Sequence, residues 1–176
     1  MSWKNRLQPD LFLADNILSL TPQTLLDHHI KGVVLDVDET LVPISMPQIT
    51  AELLLWIESV RAVIPQIWLV SNNVSETRIQ RIAEALNVPY ITGAGKPSRR
   101  KLRRAVEAMN LPAENVAMVG DRLFTDVLAG NRLGMFTVIV KPMVDPAEGK
   151  KRYLIHDLEF RISKALGVPV SLPDWL

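Results

Sequence analysis

The sequence contains no cysteine, and this absence excludes several kinds of chemistry. Without cysteine there is no disulfide, no thiolate nucleophile and no zinc or iron–sulfur site with sulfur ligands. The composition fits a reducing compartment, so we expect the protein to be cytoplasmic.

Long apolar runs and a strong net charge are also missing. Apolar runs are interrupted within roughly ten residues, whereas a membrane-spanning helix needs about 20, and the first residues lack the apolar core of a signal peptide. The formal net charge of +1 gives no reason to expect a nucleic-acid partner. What remains is a chain of 176 residues, 48% of them hydrophobic, which predicts one soluble domain with its own core.

Short segments rich in β-branched residues alternate with helical patterns from Gly32 onward. The helical spacing of apolar residues is clearest in 79–86 and 102–109, and a final helix is predicted over 150–166, ending at Gly167. We predict strands at 33–35, 67–70, 90–91, 116–119 and 137–140. This alternation predicts an α/β fold with a doubly wound, mostly parallel sheet, whose ligands bind at the carboxyl ends of the strands.

Polar residues follow several of these strands. A single Asp at such a place would be an ordinary turn residue, but Asp36 and Asp38 both follow the first strand. The others are Ser71, Asn72 and Asn73 after the second strand, Lys96 ahead of a helix, and Asp121 and Asp126 after the fourth strand. Carboxylates, a hydroxyl and a lysine thus converge on one edge of the sheet.

These residue types suit Mg²⁺-assisted phosphoryl transfer, because a phosphate monoester repels a carboxylate nucleophile unless cations are supplied. Asp36 and Asp121 can hold Mg²⁺, which prefers oxygen ligands, and Lys96 can supply a fixed charge. A carboxylate nucleophile would form an acyl phosphate, while Asp38 would protonate the leaving oxygen and later activate water. Ser71 can donate a hydrogen bond to a phosphoryl oxygen.

Four segments resemble, in order, the motifs of the haloacid-dehalogenase (HAD) superfamily phosphatases. They are DVDETL at 36–41, SNN at 71–73, GKP at 95–97 and GDRLFTD at 120–126. More narrowly, the last segment and the leucine-rich start are similar to the capless subfamily IIIA branch called the YqeG family, which is related to mitochondrial phosphatidylglycerophosphate phosphatases. Glu39 departs from the narrower branch, which commonly has Asn there.

The resemblance covers roughly residues 7–165 and implies a Mg²⁺-dependent phosphoric monoester hydrolase without a cap domain. It implies that Asp36 is the nucleophile and Asp38 the acid/base. It also implies metal binding for Asp36, Asp121 and the Asp38 backbone carbonyl, with indirect support of the metal site from Asp126. The substrate-binding residues that it implies are Thr40, Ser71, Asn72 and Lys96. We expect residues 1–30 to form a leucine-rich lead-in packed on the domain or at an interface, 31–167 the HAD-like phosphatase domain, and 168–176 a tail.

Three other functions are alternatives. An Asp-x-Asp loop occurs in Ca²⁺ hands, but Leu41 and Pro47 stand where such a hand needs Gly and Glu. A receiver-like phosphoacceptor module shares the fold, although its phosphoacceptor Asp would follow a middle strand, where this sequence has Ser71. A catalytically inactive HAD-like binding protein is the third, because a fold does not fix a function. Multiple turnover of a phosphoester would separate the enzyme from the last two.

Two features of the sequence bear on the partners of the protein: the basic residues in 99–104 and the lack of a cap domain. Cations in the first turn of a helix lie at the positive end of its dipole, which is an unfavourable placement. An anionic substrate or lipid surface would offset this repulsion. The alternative is that these residues form an ordinary solvated face of the helix. An uncapped site would be covered by a large substrate, a lipid headgroup or another subunit of a homo-oligomer. The resemblance favours a phospholipid headgroup, reached by peripheral contact at the inner face of a membrane. Apolar residues in 7–20 could lie on that membrane, in the core or in a dimer contact.

Overall fold

The computed structural model describes residues 3–45, 48–145 and 153–168. The α-helices are α1 (Pro22–Asp27), α2 (Ala51–Arg61), α3 (Glu76–Leu86), α4 (Arg100–Met109), α5 (Leu128–Leu133) and α6 (Tyr153–Ala165). The strands are β1 (Leu11–Phe12), β2 (Gly32–Leu35), β3 (Gln66–Val70), β4 (Tyr90–Ile91), β5 (Val116–Gly120) and β6 (Phe136–Ile139). A π-helical turn, Leu123–Val127, precedes α5, and short 3₁₀ turns lie at Trp3–Leu7, Ile17–Ser19 and Ala113–Asn115.

The strands form one parallel sheet in the order β1-β6-β5-β2-β3-β4. In the middle of the sheet, Val34 of β2 is in register with Trp68 of β3 and with Met118 of β5. The predicted doubly wound α/β fold is confirmed, and each of the five predicted strands is present. The sequence pattern missed β1, in which Leu11 pairs with Val138, because two residues are too few to show a strand period.

Helices cover both faces of the sheet because successive strand residues point to opposite sides. On one face, Val33 and Leu35 pack in a core with residues of α2 and α3. On the other, Val34 packs with Leu102 of α4 and Ala129 of α5. The strands are therefore buried on both sides, as their continuous apolar sequence indicates.

Between β2 and β5, the described residues form only α2, β3, α3, β4, α4 and their connections. They therefore include no cap domain. The described part of the 1–30 segment packs on the sheet: Leu7, Ile17 and Leu20 are buried, and the Trp56 indole donates to the Leu20 carbonyl at 2.8 Å. Every helix in the described ranges is too short or too polar to cross a bilayer. Within the predicted 150–166 helix, 150–152 lie outside the described residues, as do 169–176 of the predicted tail.

Candidate functional site

The polar residues predicted to converge do meet at the carboxyl ends of β2, β3 and β5. All of them except Asp126 line a cavity of about 120 Å³ that opens to solvent. Its walls are formed by Asp36, Asp38, Glu39, Ile44, Ser71, Asn72, Asn73, Lys96, Asp121, Arg122 and Thr125. The parallel sheet brings these residues together because each strand ends at the same edge.

Lys96 lies between two buried carboxylates at the centre of the site. Its Nζ is 2.6 Å from Oδ1 of Asp36 and 2.6 Å from Oδ1 of Asp126. Burial alone would lower the pKa of Lys96, but the charges of Asp126 and Asp36 outweigh that effect and raise its pKa. The lysine is therefore a cation at any physiological pH.

The buried acids respond to burial in the opposite sense. Desolvation raises the pKa of Asp36 from its ordinary 3.8 to about 8; Asp126 and Asp121 add to the increase, and Lys96 opposes it. Burial also raises the pKa of Asp126, against the effect of Lys96. One lysine does not neutralise these acids, so a further cation among them would favour their ionised forms.

The arrangement of the three acids fits a divalent metal such as Mg²⁺. One carboxylate oxygen from each of Asp36, Asp121 and Asp126 lies within 4.8 Å of the others, and all three residues are buried. Oxygen ligands and excess negative charge are what a small hard cation requires. Asp121 also belongs to a second group of this size, with Glu39 and His156.

Gly120 makes room for the Asp126 side chain. A Cβ built on Gly120 would lie 2.4 Å from the Asp126 carboxylate carbon, closer than atoms approach. Asp126 accepts a hydrogen bond from the Arg122 backbone N–H at 3.2 Å, so its carboxylate turns back over the end of β5. The Gly-Asp start of the fourth motif therefore has a steric reason in this fold.

Asp38 lies outside the Lys96 cluster, although only two residues separate it from Asp36. Its Oδ1 accepts from Nε and Nη2 of Arg78 at 3.1 and 3.0 Å, and its Oδ2 accepts from the Asn73 side chain at 2.9 Å. Arg78 also donates to the Pro43 carbonyl at 3.1 Å. A half-buried arginine on α3 thus fixes the direction of the Asp38 carboxyl at the edge of the cavity.

The remaining predicted substrate-binding residues make contacts within the protein. The Thr40 hydroxyl is fully buried and donates to Oδ1 of Asp121 at 3.0 Å. The Asn72 side chain bonds the backbone of Lys96 twice, at 2.7 and 3.0 Å. The Ser71 hydroxyl accepts from the Asn73 N–H at 3.0 Å and lines the cavity. Their roles towards a substrate stay predictions.

Three residues near the site were not singled out from the sequence: Arg78, His156 and Glu159. Arg78 lies on α3 and contacts Asp38, whereas His156 and Glu159 lie on α6 and contact Asp121 and Arg122. A signal existed for α6, because a histidine and a glutamate three residues apart lie on one face of a helix. The sequence predicts the helix, but the spacing of its polar residues does not indicate which part of the chain they contact.

Comparison with known proteins shows the family of the chain. A family model described as HAD-hydrolase-like matches residues 93–157. The probable phosphatase YqeG of Bacillus subtilis is 37% identical over 158 residues, which cover 90% of each chain. The chain therefore belongs to the HAD-like family of phosphatases that includes this relative.

Two further matches are more distant. The chloroplastic phosphatidylglycerophosphate phosphatase 1 of Chlamydomonas reinhardtii is 38% identical over 64 residues, covering 36% of this chain and 24% of that enzyme. The crystal structure of an uncharacterized protein from Listeria monocytogenes serotype 4b has a TM-score of 0.52 at 16% identity, covering 73% of this chain and 99% of that one. The structural match shows a shared fold.

Proposed function

We propose that this phosphatase hydrolyses a phosphomonoester through an aspartyl-phosphate on Asp36, with Mg²⁺ as cofactor. The observation that carries the proposal is the buried group of Asp36, Asp121 and Asp126 around Lys96, of which Asp36, Asp121 and Lys96 line the cavity at the end of β2. Such a group combines a carboxylate nucleophile with the positive charge that a phosphate dianion requires.

In the first step, a carboxylate oxygen of Asp36 bonds to phosphorus while the bond from phosphorus to the ester oxygen breaks. The leaving oxygen takes a proton from the carboxyl group of Asp38, and Asp36 becomes an acyl phosphate. Lys96 offsets the negative charge on the phosphoryl group, and Ser71 on the cavity wall donates to a phosphoryl oxygen.

In the second step, water attacks phosphorus and gives its proton to the Asp38 carboxylate. The bond between phosphorus and Asp36 breaks, so inorganic phosphate leaves and both acids return to their starting states. Arg78 and Asn73 hold Asp38 in one direction through both steps, since their contacts lie on its two oxygens.

Asp36 and Asp121 would hold Mg²⁺ with the Asp38 backbone carbonyl, and Asp126 would support them. When bound there, the ion would supply Lewis-acid stabilisation of charge on the phosphoryl oxygens.

The reaction is tested with purified protein and a soluble aryl phosphate. We expect multiple turnovers with Mg²⁺, none in excess EDTA, and recovery on adding Mg²⁺ back. Rapid acid quenching followed by mass spectrometry should detect one phosphoryl group on the peptide that contains Asp36. Full activity in EDTA would exclude the metal requirement, and a phosphoryl group on another residue would exclude Asp36.

For the physiological substrate, we propose a phosphorylated lipid headgroup, phosphatidylglycerophosphate, reached by peripheral contact at the inner, cytoplasmic face of a membrane. Three observations support it: the partial similarity to the chloroplastic enzyme, the absence of a cap over the described site, and a basic cleft. Arg99, Arg100, Arg103 and Arg132 line this cleft, which begins two residues after Lys96 at Ser98. Anionic lipid would satisfy this charge.

The structure also changes which apolar residues could contact a membrane. Leu7, Ile17 and Leu20 of the N-terminal segment are buried in the protein. In α6 and the residue after it, by contrast, a row of apolar side chains is 40–61% exposed, consisting of Leu154, Ile155, Leu158, Ile162 and Leu166. A helix with one apolar exposed face is the kind that lies in the plane of a membrane interface.

A vesicle experiment tests the lipid proposal. Each basic residue near an anionic surface contributes about 1 kcal/mol, so Arg100→Gln with Arg103→Gln should weaken binding to anionic vesicles by about 2 kcal/mol, roughly 30-fold. Leu154→Gln with Leu158→Gln should also weaken vesicle binding. Neither pair should change turnover of a soluble aryl phosphate by much.

The matched control removes the same charge elsewhere, with Lys31→Gln and Arg81→Gln, both exposed. This control should bind vesicles like the unaltered protein. No turnover of vesicle-borne phosphatidylglycerophosphate would overturn this substrate, while equal losses on the lipid and the soluble ester would mean that the arginines support the site itself.

A further inference from the structure

Helix α6 carries an unusual buried face. Three of its polar residues, His156, Glu159 and Ser163, are at most 6% exposed, and they lie three and four positions apart on one side of the helix. Buried polar groups cost free energy unless they are hydrogen-bonded, so a helix that only covered the sheet would be expected to present apolar residues here. Two of the three contact the loop that follows β5.

His156 bonds directly to Asp121. Its Nε2 lies 2.7 Å from Oδ2 of Asp121, and both side chains are 1% exposed. Nε2 is the ring nitrogen that faces Asp121, so the tautomer with its proton on Nε2 can donate to this carboxylate. Because Thr40 donates to the other oxygen of Asp121, the carboxylate is held from two sides, by the β2 loop and by α6.

Glu159, one turn further along α6, holds the backbone next to Asp121. Its Oε1 accepts from Nε of Arg122 at 3.0 Å, and its Oε2 accepts from the backbone N–H groups of Leu123 and Phe124 at 3.0 and 3.4 Å. These N–H groups begin the π-helical turn that carries Asp126. Phe160 packs beside them, in a cluster with Leu123.

We propose that α6 is a positioning element of the active site, in which His156 orients Asp121 for metal binding and Glu159 fixes the loop between Asp121 and Asp126. The proposal rests on the proposed function, since it takes Asp121 as a metal ligand. Partners of metal ligands commonly fix ligand orientation, and their loss costs about 10–100-fold in metal affinity or activity.

The test is a direct titration of the purified protein with Mn²⁺, followed by electron paramagnetic resonance, together with Mg²⁺ calorimetry. His156→Met fills a similar volume without a donor and should weaken metal affinity about 10–100-fold. His156→Gln keeps an N–H donor at a similar reach and should restore most of the affinity. In His156→Met, the loss of turnover relative to the unaltered protein should be smaller at saturating metal than at limiting metal.

The matched control is Ser163→Ala, on the same buried face of α6. The Ser163 hydroxyl has no hydrogen-bond partner among the described residues, so this variant should bind metal normally. Glu159→Gln is the second variant, in case His156→Met does not fold. It retains one carbonyl acceptor for the loop and should lower metal affinity, with a circular dichroism spectrum like that of the unaltered protein.

Asp121→Asn separates failure of this inference from failure of the proposed function. Unchanged metal affinity in Asp121→Asn would overturn the metal site itself. Loss of affinity in Asp121→Asn, with normal affinity in folded His156→Met and Glu159→Gln, would overturn only the role of α6. The role of α6 would also be overturned if the unaltered protein bound a second ion that His156→Met does not bind. His156 would then be a metal ligand itself, together with Glu39 and Asp121.

Discussion

Asp36 and Asp38 are neighbours in sequence but belong to different environments. Asp36 is buried beside Lys96, with Asp121 and Asp126 close by, and burial raises its pKa to about 8. Asp38 lies at the cavity edge and is held by Arg78 and Asn73. Two carboxylates in one loop can thus serve two chemical purposes, because their surroundings differ.

The difference supports a division of labour. The inner acid has a lysine at 2.6 Å and a set of carboxylates suited to a cation, which is what a nucleophile facing a phosphate needs. The outer acid has side-chain donors that fix its direction, which is what a group that passes a proton needs. Substitutions in each environment should therefore have different consequences.

The largest effect is expected from Asp36→Asn. The amide is a poor nucleophile, so turnover of every phosphomonoester tested should be abolished, and no phosphoryl group should be detected on the protein after acid quenching. Steady-state assays with Mg²⁺ and a circular dichroism spectrum measure activity and folding. Wild-type activity in this variant would mean that another residue is the nucleophile.

Asp38→Asn should reduce turnover by roughly 10²-fold or more, since it removes the acid/base group and leaves the nucleophile. A substrate whose leaving group needs no protonation, such as a nitrophenyl phosphate, should show a smaller loss in the first step. The burst of leaving group in stopped-flow measurements reports that step.

Arg78→Met is the companion variant, because it removes the arginine that holds Asp38 and leaves the Asp38 carboxyl in place. It should lower turnover less than Asp38→Asn and add little to it in the double variant. Additive losses would show that Arg78 acts on something other than Asp38.

Much of this site could be predicted from the sequence. The catalytic candidates Asp36, Asp38, Lys96 and Asp121 follow strands of a parallel sheet, and the topology alone brings them to one edge. The strands themselves could be predicted because fully buried strands have continuous apolar sequences. The similarity to a phosphatase over 90% of the chain confirms the family.

Other parts depended on three-dimensional packing. The contact of His156 with Asp121 spans 35 residues, and nothing in the spacing of α6 indicates which loop it meets. The strand β1 lies at a sheet edge through two residue pairs with β6, which leaves too short a pattern to recognise. Glu39 has a φ of 65°, a left-handed conformation that is uncommon for a glutamate and that the sequence does not predict.

Gly120→Ala tests the inner environment by displacing Asp126. The added Cβ would meet the Asp126 carboxylate, so we expect weaker metal binding and a loss of stability of about 1–3 kcal/mol. Gly130→Ala is the matched control, because its Cβ would meet the Thr137 side chain in the core at 2.5 Å. The control should lose stability while keeping metal affinity; a similar loss of affinity in both would point to general overpacking.

A subtler effect concerns the pH dependence of stability in EDTA. Because the folded-state pKa of Asp36 is raised from 3.8 to about 8, the folded protein holds a proton on Asp36 that the unfolded chain releases. The contribution of Asp36 to the unfolding free energy is greatest below about pH 4 and is lost as the pH rises to about 8. An asparagine side chain does not ionise, so the Asp36→Asn variant should gain stability relative to the unaltered protein across this window.

The measurement is urea unfolding of both proteins between pH 4 and 9, in EDTA and in Mg²⁺. In EDTA, the difference in unfolding free energy should grow with pH up to about 8 and then level off. With Mg²⁺, the unaltered protein should recover stability, because the ion binds the folded state through the ionised acids and the variant has lost one ligand. A difference that is independent of pH in EDTA would show that the Asp36 carboxyl ionises normally beside Lys96, and the contrast between the inner and outer acids would then rest on geometry alone.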